Sequence, residues 1–453
     1  MSGVIQILAA EQAQATILRR EPPDEVGNTP QINQRILELF GESLTPEEVV
    51  AKIISEVRAE GDAALEKYSK LLDGASLTAF KVDSDEIGEA YTTAPDDLIE
   101  SLKTSAERIR SFHEQQPLGP WMNWNDEGGL GQMVRPLERV GLYVPGGTAP
   151  LASSLLMTAV PARVAGVEEI IVATPPGPDG RVNGTILAAA HIAGVDAVYQ
   201  VGGVQAIAAM AYGTASIPKV DKILGPGNLF VVLAKRQVYG VVDIDLLPGP
   251  TETVVIADDS ARPDLVAADL LAQAEHDPLA SAILITTSPG LAEKVCLEVE
   301  DRVASLDRSD IIRASLHGSG GIVLTDTVEH ALQMANDYAP EHLCLLVRDP
   351  WSFLGKVKHA GGVFVGEHSS EALGDYVTGP SHVMPTGGTA RFSSPINLRD
   401  FTKVISVFGV NKRAHDSLAA SAITLAEAEG LTAHAAAIRA RQNPTPNGGK
   451  IDA

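Results

Sequence analysis

The chain is 453 residues long, past the ~250–300 residues at which a single hydrophobic core stops growing, so two main domains are expected. Its 35 basic and 58 acidic residues give a net charge of −23, which argues against a nucleic-acid or anionic-membrane partner, both polyanions, and favours a small-molecule substrate. Cys296 and Cys344 are too few for a disulfide framework. No apolar run approaches the roughly 20 residues needed to cross a bilayer. The first stretch, interrupted by Glu11, Gln12 and Gln14, does not read as a signal peptide. The expectation is a soluble, cytoplasmic protein.

Residues 45–116 carry apolar side chains at helical spacing among charges, and Thr45, three residues before Glu48, supplies a capping box. Residues 1–133 therefore read as an N-terminal helical region without evident chemistry. Residues 121–131, rich in Gly, Trp and Asn, read as a loop. Short apolar strands then alternate with Ala-rich helices: strand 140–144, helix 155–165 and strand 169–173 form a βαβ unit, which implies parallel strands. The pattern continues through 186–192, 197–201, 206–212 and 222–224, giving a first α/β domain over 134–247. It restarts after Pro248-Gly-Pro250 with strand 253–257, a helix opened by Pro263 and strand 282–286, giving a second over 248–398. The prediction is an α/β protein with two similar, incomplete Rossmann-like parallel-sheet domains. A helical tail over 399–453, with helices at 414–428 and 433–441, is too short for its own core and is expected to pack on a partner subunit.

Several clusters carry chemistry. Gln273-Ala-Glu-His276 ends the Pro263 helix, where Gln273 and His276 share a face by their three-residue spacing. With Asp375 and His434 they could supply two nitrogen and two oxygen donors to zinc; unrelated surface side chains are the competing reading, since spacing does not show that they meet. Glu341 and His342 open an apolar strand, where a carboxylate beside an imidazole suits general acid–base work, or merely caps an exposed strand end. At the end of a parallel strand the pair is expected to face a ligand crevice. Cys344 shares the face of His342 and is either an aldehyde-capturing thiol or a buried structural residue, the apolar surroundings favouring the latter. The Gly225-Pro-Gly-Asn228 and Val144-Pro-Gly-Gly-Thr148 turns each follow a strand and precede a helix. Their glycines allow close backbone approach to a ligand and Asn228 can cap its helix, but an ordinary turn has the same pattern and neither makes G-x-G-x-x-G. The polar loop from Gly374 through Phe392 is long enough to be functional, with Asp375 and His382 as candidates.

Together Val140-Gly-Leu-Tyr-Val-Pro-Gly-Gly147, Lys222-Ile-Leu-Gly-Pro-Gly-Asn228, Gln273-Ala-Glu-His-Asp277, Ala339-Pro-Glu-His-Leu343 and Gly387-Gly-Thr-Ala-Arg-Phe-Ser-Ser394 resemble the histidinol dehydrogenase family, in family order and over nearly the whole chain. The resemblance implies a zinc-dependent, NAD-linked oxidation of L-histidinol to L-histidine through a retained aldehyde. It implies Gln273, His276, Asp375 and His434 as ligands of one zinc per subunit, which also places them against the substrate. It implies His342 as the base for the alcohol and a substrate contact, with Glu341 activating the water that hydrates the aldehyde. Tyr143, Gln205 and Asn228 fall at the NAD contacts, and Thr251, His382 and Glu429 at substrate contacts. Many relatives carry Ser where this chain has Thr251; the hydroxyl survives and a slightly narrower pocket is expected. Members are homodimers whose tail reaches the partner's site, so Glu429 and His434 would act in trans, and no cysteine nucleophile is needed. Paralogues on the same scaffold oxidise other small polar alcohols, which is the alternative reading.

Overall fold

Apolar runs without alternation become strands covered on both faces. Residues Glu252–Ala257 and Ser281–Thr286 are buried at every position, as interior parallel strands require. The structure is a computed structural model describing residues 4–20, 30–77, 79–146, 150–177 and 179–442; Gly147 and Thr148 of the predicted Val144–Thr148 turn lie outside the described residues. The strands before residue 250 are β1 (Ile7–Ala9), β2 (Trp121–Asn125), β3 (Gly128–Pro136), β4 (Arg139–Tyr143), β5 (Glu169–Ala173), β6 (Ala197–Tyr199), β7 (Lys222–Leu224) and β8 (Asp243–Ile244). Those after it are β9 (Glu252–Ala257), β10 (Ser281–Thr286), β11 (Gly321–Leu324), β12 (His342–Leu346), β13 (Gly362–Val365) and β14 (Thr402–Val410).

Two parallel sheets form the expected pair. The first runs β6-β5-β4-β7-β8 and the second β1-β11-β10-β9-β12-β13. With β1 at the edge of the second sheet left aside, both read in chain order third, second, first, fourth, fifth, the order of a Rossmann sheet without its sixth strand. The order reverses between β4 and β7 in one sheet and between β9 and β12 in the other. One face of the first sheet packs on Val49, Val50, Ile53, Leu65 and Tyr68 of the N-terminal helices, and the other on Ile99, Leu102 and Ile109 of helix Asp96–His113. The early helices thus complete the layers of the first α/β set. Helix Pro46–Glu60 starts with the predicted box: Thr45 accepts from the Glu48 amide, and the Glu48 carboxylate accepts from the Thr45 amide.

Three expectations need correction. The N-terminal region is not wholly helical, because β1 pairs in parallel with β11 at the edge of the second sheet; three residues are too few to show a period. The predicted loop at 121–131 is a β2–β3 antiparallel hairpin. The tail is not wholly helical either, since β14 pairs with β3 along nine residues, Thr402 opposite Pro136 to Val410 opposite Gly128. Every residue of β2 is exposed, and most of β14, so neither strand has the one-sided alternation that reveals a half-buried strand. Residues 117–136 and 402–453 form a compact unit separate from residues 1–116 and 137–401. In that second unit helices Lys412–Ala428 and Thr432–Gln442 pack together.

In the first sheet, Lys235 and Asp245 form an ion pair with side chains 0% and 1% exposed. The pair clasps Gly225 from both sides: its amide donates to Asp245 Oδ2 at 2.7 Å, and its carbonyl accepts from Lys235 Nζ at 3.0 Å. Gly225 has φ +116°, and a Cβ there would lie 2.1 Å from the Tyr143 carbonyl oxygen, so no other residue fits. Removing one partner of a buried pair leaves an uncompensated charge. Asp245→Asn is therefore expected to cost about 3–5 kcal/mol, measured as a fall in the urea unfolding midpoint, whereas an exposed pair such as Arg348–Asp259 should show under about 1 kcal/mol.

Candidate active site

Register in the second sheet brings the predicted acid–base pair against the start of β9. His342 lies opposite Thr253, so Thr251 and Glu252 meet the residues that precede β12. Glu341 Oε2 accepts from Thr251 Oγ1 at 2.5 Å and from the Glu252 amide at 3.1 Å. Gln273, buried in helix Pro263–Ala274, donates Nε2 to Thr251 Oγ1 at 3.0 Å. The His342 ring turns Nδ1 toward the Glu252 carbonyl at 3.2 Å and Thr253 Oγ1 at 3.4 Å, with carboxylate oxygens of Glu371 at 3.6 Å and Glu341 at 3.8 Å. Two buried polar atoms here have no protein partner: His342 Nε2 and Gln273 Oε1.

Burial governs the protonation of this cluster. It pushes the Glu341 carboxyl up to about 7, against the pull of His342 and the two hydrogen bonds. Burial also raises Glu371 well above the ordinary carboxylate range, aided by Asp375 and Asp269 and opposed by a hydrogen bond from Thr253. A carboxyl poised near neutrality can exchange a proton within a turnover, the condition for a general base. Glu371 carries no motif and was not singled out in the sequence; only the fold delivers it to Thr253 and His342.

Several other expectations change. Glu341 and His342 sit at the amino end of β12, not at the carboxyl-end crevice of their sheet, because β12 begins at His342. The switch-point crevice of the second sheet, lined by Ser260, Leu346, Arg348 and Glu367, is at the opposite end of the strands. The helical face predicted for Gln273 and His276 also fails, since the helix ends at Ala274 with Glu275 as its cap; His276 lies beyond it and is exposed. Cys344 faces the core beside Val255, and burial raises its thiol, in line with the structural reading.

His382 sits within the electrostatic reach of Asp375, His342 and His276, and burial lowers its imidazole. Its Nδ1 contacts the Asp375 carbonyl at 2.7 Å and its Nε2 the Ser154 hydroxyl at 3.1 Å. Both ring nitrogens are thus engaged, so a substrate contact would have to displace Ser154. Among the described residues no group of three or more His, Cys, Asp or Glu side chains is placed to hold a metal ion. Of the four implied ligands, Gln273, His276 and Asp375 belong to one unit and exposed His434 to the other, as does exposed Glu429, the implied substrate contact. One feature fits a cation: Nε2 of Gln273 is committed to Thr251, which orients the amide and leaves the buried Oε1 lone pairs unused.

The first sheet gathers Tyr143, Gln205 and Asn228 around its own switch point, where α/β sheets bind ligands. Tyr143 ends β4 and its hydroxyl accepts from the Gly203 amide at 3.1 Å. Gln205, in the first turn of helix Gly203–Tyr212, donates to Asp73 at 3.3 Å and has Oε1 buried without a partner. Burial raises Asp73 to about 6. Asn228 caps helix Leu229–Val238 through Oδ1, accepting from the amides of Phe230 and Val231, so a ligand contact falls to its Nδ2.

Two Rossmann-like sheets, the second with a buried carboxylate–imidazole pair at the start of an interior strand, define a doubly wound α/β protein. The family model for histidinol dehydrogenase matches residues 42–442. The chain is 54% identical over 439 residues to the histidinol dehydrogenase of Deinococcus radiodurans, covering 96% of this chain and 100% of that one. It is 53% identical over 396 residues to that of Moorella thermoacetica, covering 87% and 93%. The crystal structure of histidinol dehydrogenase from Elizabethkingia anophelis superposes with a TM-score of 0.89 at 34% identity, over 97% of this chain and 98% of that one. The chain belongs to the histidinol dehydrogenase family and is an oxidoreductase.

Because burial raises Glu341, the native state holds this proton more tightly than the unfolded chain. Its contribution to stability is complete below the ordinary value of 4.5 and is lost as pH rises to about 7. In metal-free protein, Glu341→Gln is expected to gain stability over the parent across that window, by on the order of 2–3 kcal/mol at pH 8. Urea midpoints at pH 4.5, 6 and 8 measure it; a variant less stable at pH 8 than at pH 4.5, relative to the parent, would contradict the burial argument.

Proposed function

We propose that the protein oxidises L-histidinol to L-histidine in two NAD-linked steps through histidinal, with zinc in the site. The observation that carries this reading is the bare, buried Nε2 of His342, an imidazole whose Nδ1 side faces a carboxyl poised near neutrality. The Glu252 carbonyl can only accept, so its 3.2 Å contact selects the tautomer with hydrogen on Nδ1. That leaves the Nε2 lone pair to take the hydroxyl proton of the alcohol. Glu341 is the base that removes a proton from water as it adds to the aldehyde, its free acceptor capacity held in place by Thr251 and the Glu252 amide.

Zinc, held by Gln273, His276, Asp375 and His434, would polarise the substrate oxygen and fix its orientation. NAD, contacted by Tyr143, Gln205 and Asn228, would take one hydride in each step. In this reading residues 134–247 form the NAD domain and residues 248–398 carry zinc and catalysis. Thr251, Gln273, His276, His342, Asp375 and His382 face the substrate, and the carboxylate of Glu429 suits its ammonium group. The working form is a homodimer in which the partner subunit's Glu429 and the partner subunit's His434 complete the site. Support for a second copy is the exposure of the large apolar side chains Trp121, Trp124, Leu130, Val404 and Phe408 on the antiparallel sheet. No described helix is long and apolar enough to cross a membrane, which accords with a cytoplasmic enzyme.

Two NADH per histidinol, lost on chelation and restored by zinc, is the expected result. No turnover by fully zinc-loaded protein would point to a paralogous enzyme for another small polar alcohol. His434→Ala should lower bound zinc, measured by metal analysis; unchanged content refutes that ligand. Glu341→Gln should slow histidinal oxidation more than histidinol oxidation in single-turnover assays, and equal slowing of both would remove Glu341 from the water-activating role.

A further inference from the structure

Arg20 lies 232 residues in sequence from Glu252, yet its guanidinium grips both oxygens of that nearly buried carboxylate. The same group donates to the Tyr338 carbonyl at 2.8 and 3.0 Å and the Ala339 carbonyl at 3.3 Å, and lies 3.6 Å over the Tyr338 ring. Each of these contacts touches a residue that places the acid–base pair. Glu252 gives its amide to Glu341 Oε2 and its carbonyl to His342 Nδ1. Tyr338 and Ala339 end helix Val328–Tyr338 just before Glu341, and Ala339 is the only non-glycine residue with positive φ, +54°, among the described residues. A left-handed alanine costs roughly 1 kcal/mol and is held only where its surroundings over-determine it. The Glu252 carboxylate also accepts from the Gly387 amide at 3.1 Å, bringing the polar loop into the same network.

We propose that Arg20 is a positioning residue for Glu341 and His342, fixing the strand start on one side of the pair and the left-handed turn on the other. The proposal rests on the function proposed above. A planar fork with several donors suits this task, because carboxylate and carbonyl oxygens are addressed together in fixed directions. Lysine keeps the charge and loses the fork. Displacement of a reacting group by a fraction of an ångström costs rate rather than binding.

The test compares Arg20→Lys, Glu341→Gln and the double variant for kcat and KM with histidinol and with histidinal. Arg20→Lys is expected to lower kcat for histidinal about tenfold or more, to change KM less than about threefold, and to cost a smaller fold in the Glu341→Gln background than in the wild type, because part of its effect is exerted through Glu341. A merely structural role lowers the unfolding midpoint and leaves these ratios unmoved. Wild-type kinetics in Arg20→Lys, or the same fold loss in both backgrounds, overturns the proposal. Arg20→Met, if it folds, should be worse than Arg20→Lys; equal or better kinetics would also overturn it. Should the wild type fail to oxidise histidinol, the function proposed above falls. The role of Arg20 is then read from the NMR shift of the His342 Cε1 proton, which should move in Arg20→Lys while that of His191 does not; an unmoved His342 overturns it separately.

Discussion

The parallel pairing of β9 with β12, in the register that sets Thr253 opposite His342, is the constraint from which the candidate site follows. A shift by one residue would turn His342 to the other face of the sheet. It would also part Glu341 from the Glu252 amide. The apolar runs enforce this register, because the inward faces of Val254, Ile256, Leu343 and Leu345 share one core and those of Val255, Cys344 and Leu346 the other. Hydrophobic packing along the two strands thereby fixes which residues meet at the strand start.

The two sheets share one topology apart from β1, and their candidate site residues gather at opposite ends of it. The first keeps the customary arrangement, with Tyr143, Gln205 and Asn228 at the carboxyl-end switch point. The second places Thr251, Glu341 and His342 at its amino end, and the early residues of the chain serve both: helices Pro46–Glu60 and Asp96–His113 cover the first sheet, while β1 and Arg20 serve the second. A strand order shared by two sheets therefore does not fix the end at which polar side chains gather; the residues at each end do.

The sequence made the α/β alternation plain because parallel strands buried on both faces read as unbroken apolar runs, as in Glu252–Ala257. It also exposed local signals such as the Thr45–Glu48 box and the Asn228 cap, whose partners are two or three residues away. It did not reveal β2 and β14, whose both-sided exposure removes the period, nor β1, which is too short to have one. Glu341 and His342 were legible as neighbours, Gln273 and Asp375 as candidate donors by residue type, and Thr251 through the family resemblance. Glu371 and Arg20 were not, because Glu371 meets Thr253 across 118 residues and Arg20 meets Glu252 across 232, and neither sits in a recognisable motif.

The clasp around Gly225 gives the turn before Asn228 in the first sheet a particular independence from the medium. Charges in water lose their mutual attraction over roughly 10 Å at 0.1 M salt, and a surface carrying a net charge of −23 will change its self-repulsion steeply with ionic strength. Lys235 and Asp245 are shut away from that solvent, and the backbone they hold does not share in the change. Salt therefore tunes how the protein meets charged neighbours while the turn beside Asn228 keeps its shape, so that solubility and loop geometry are set by separate populations of charge.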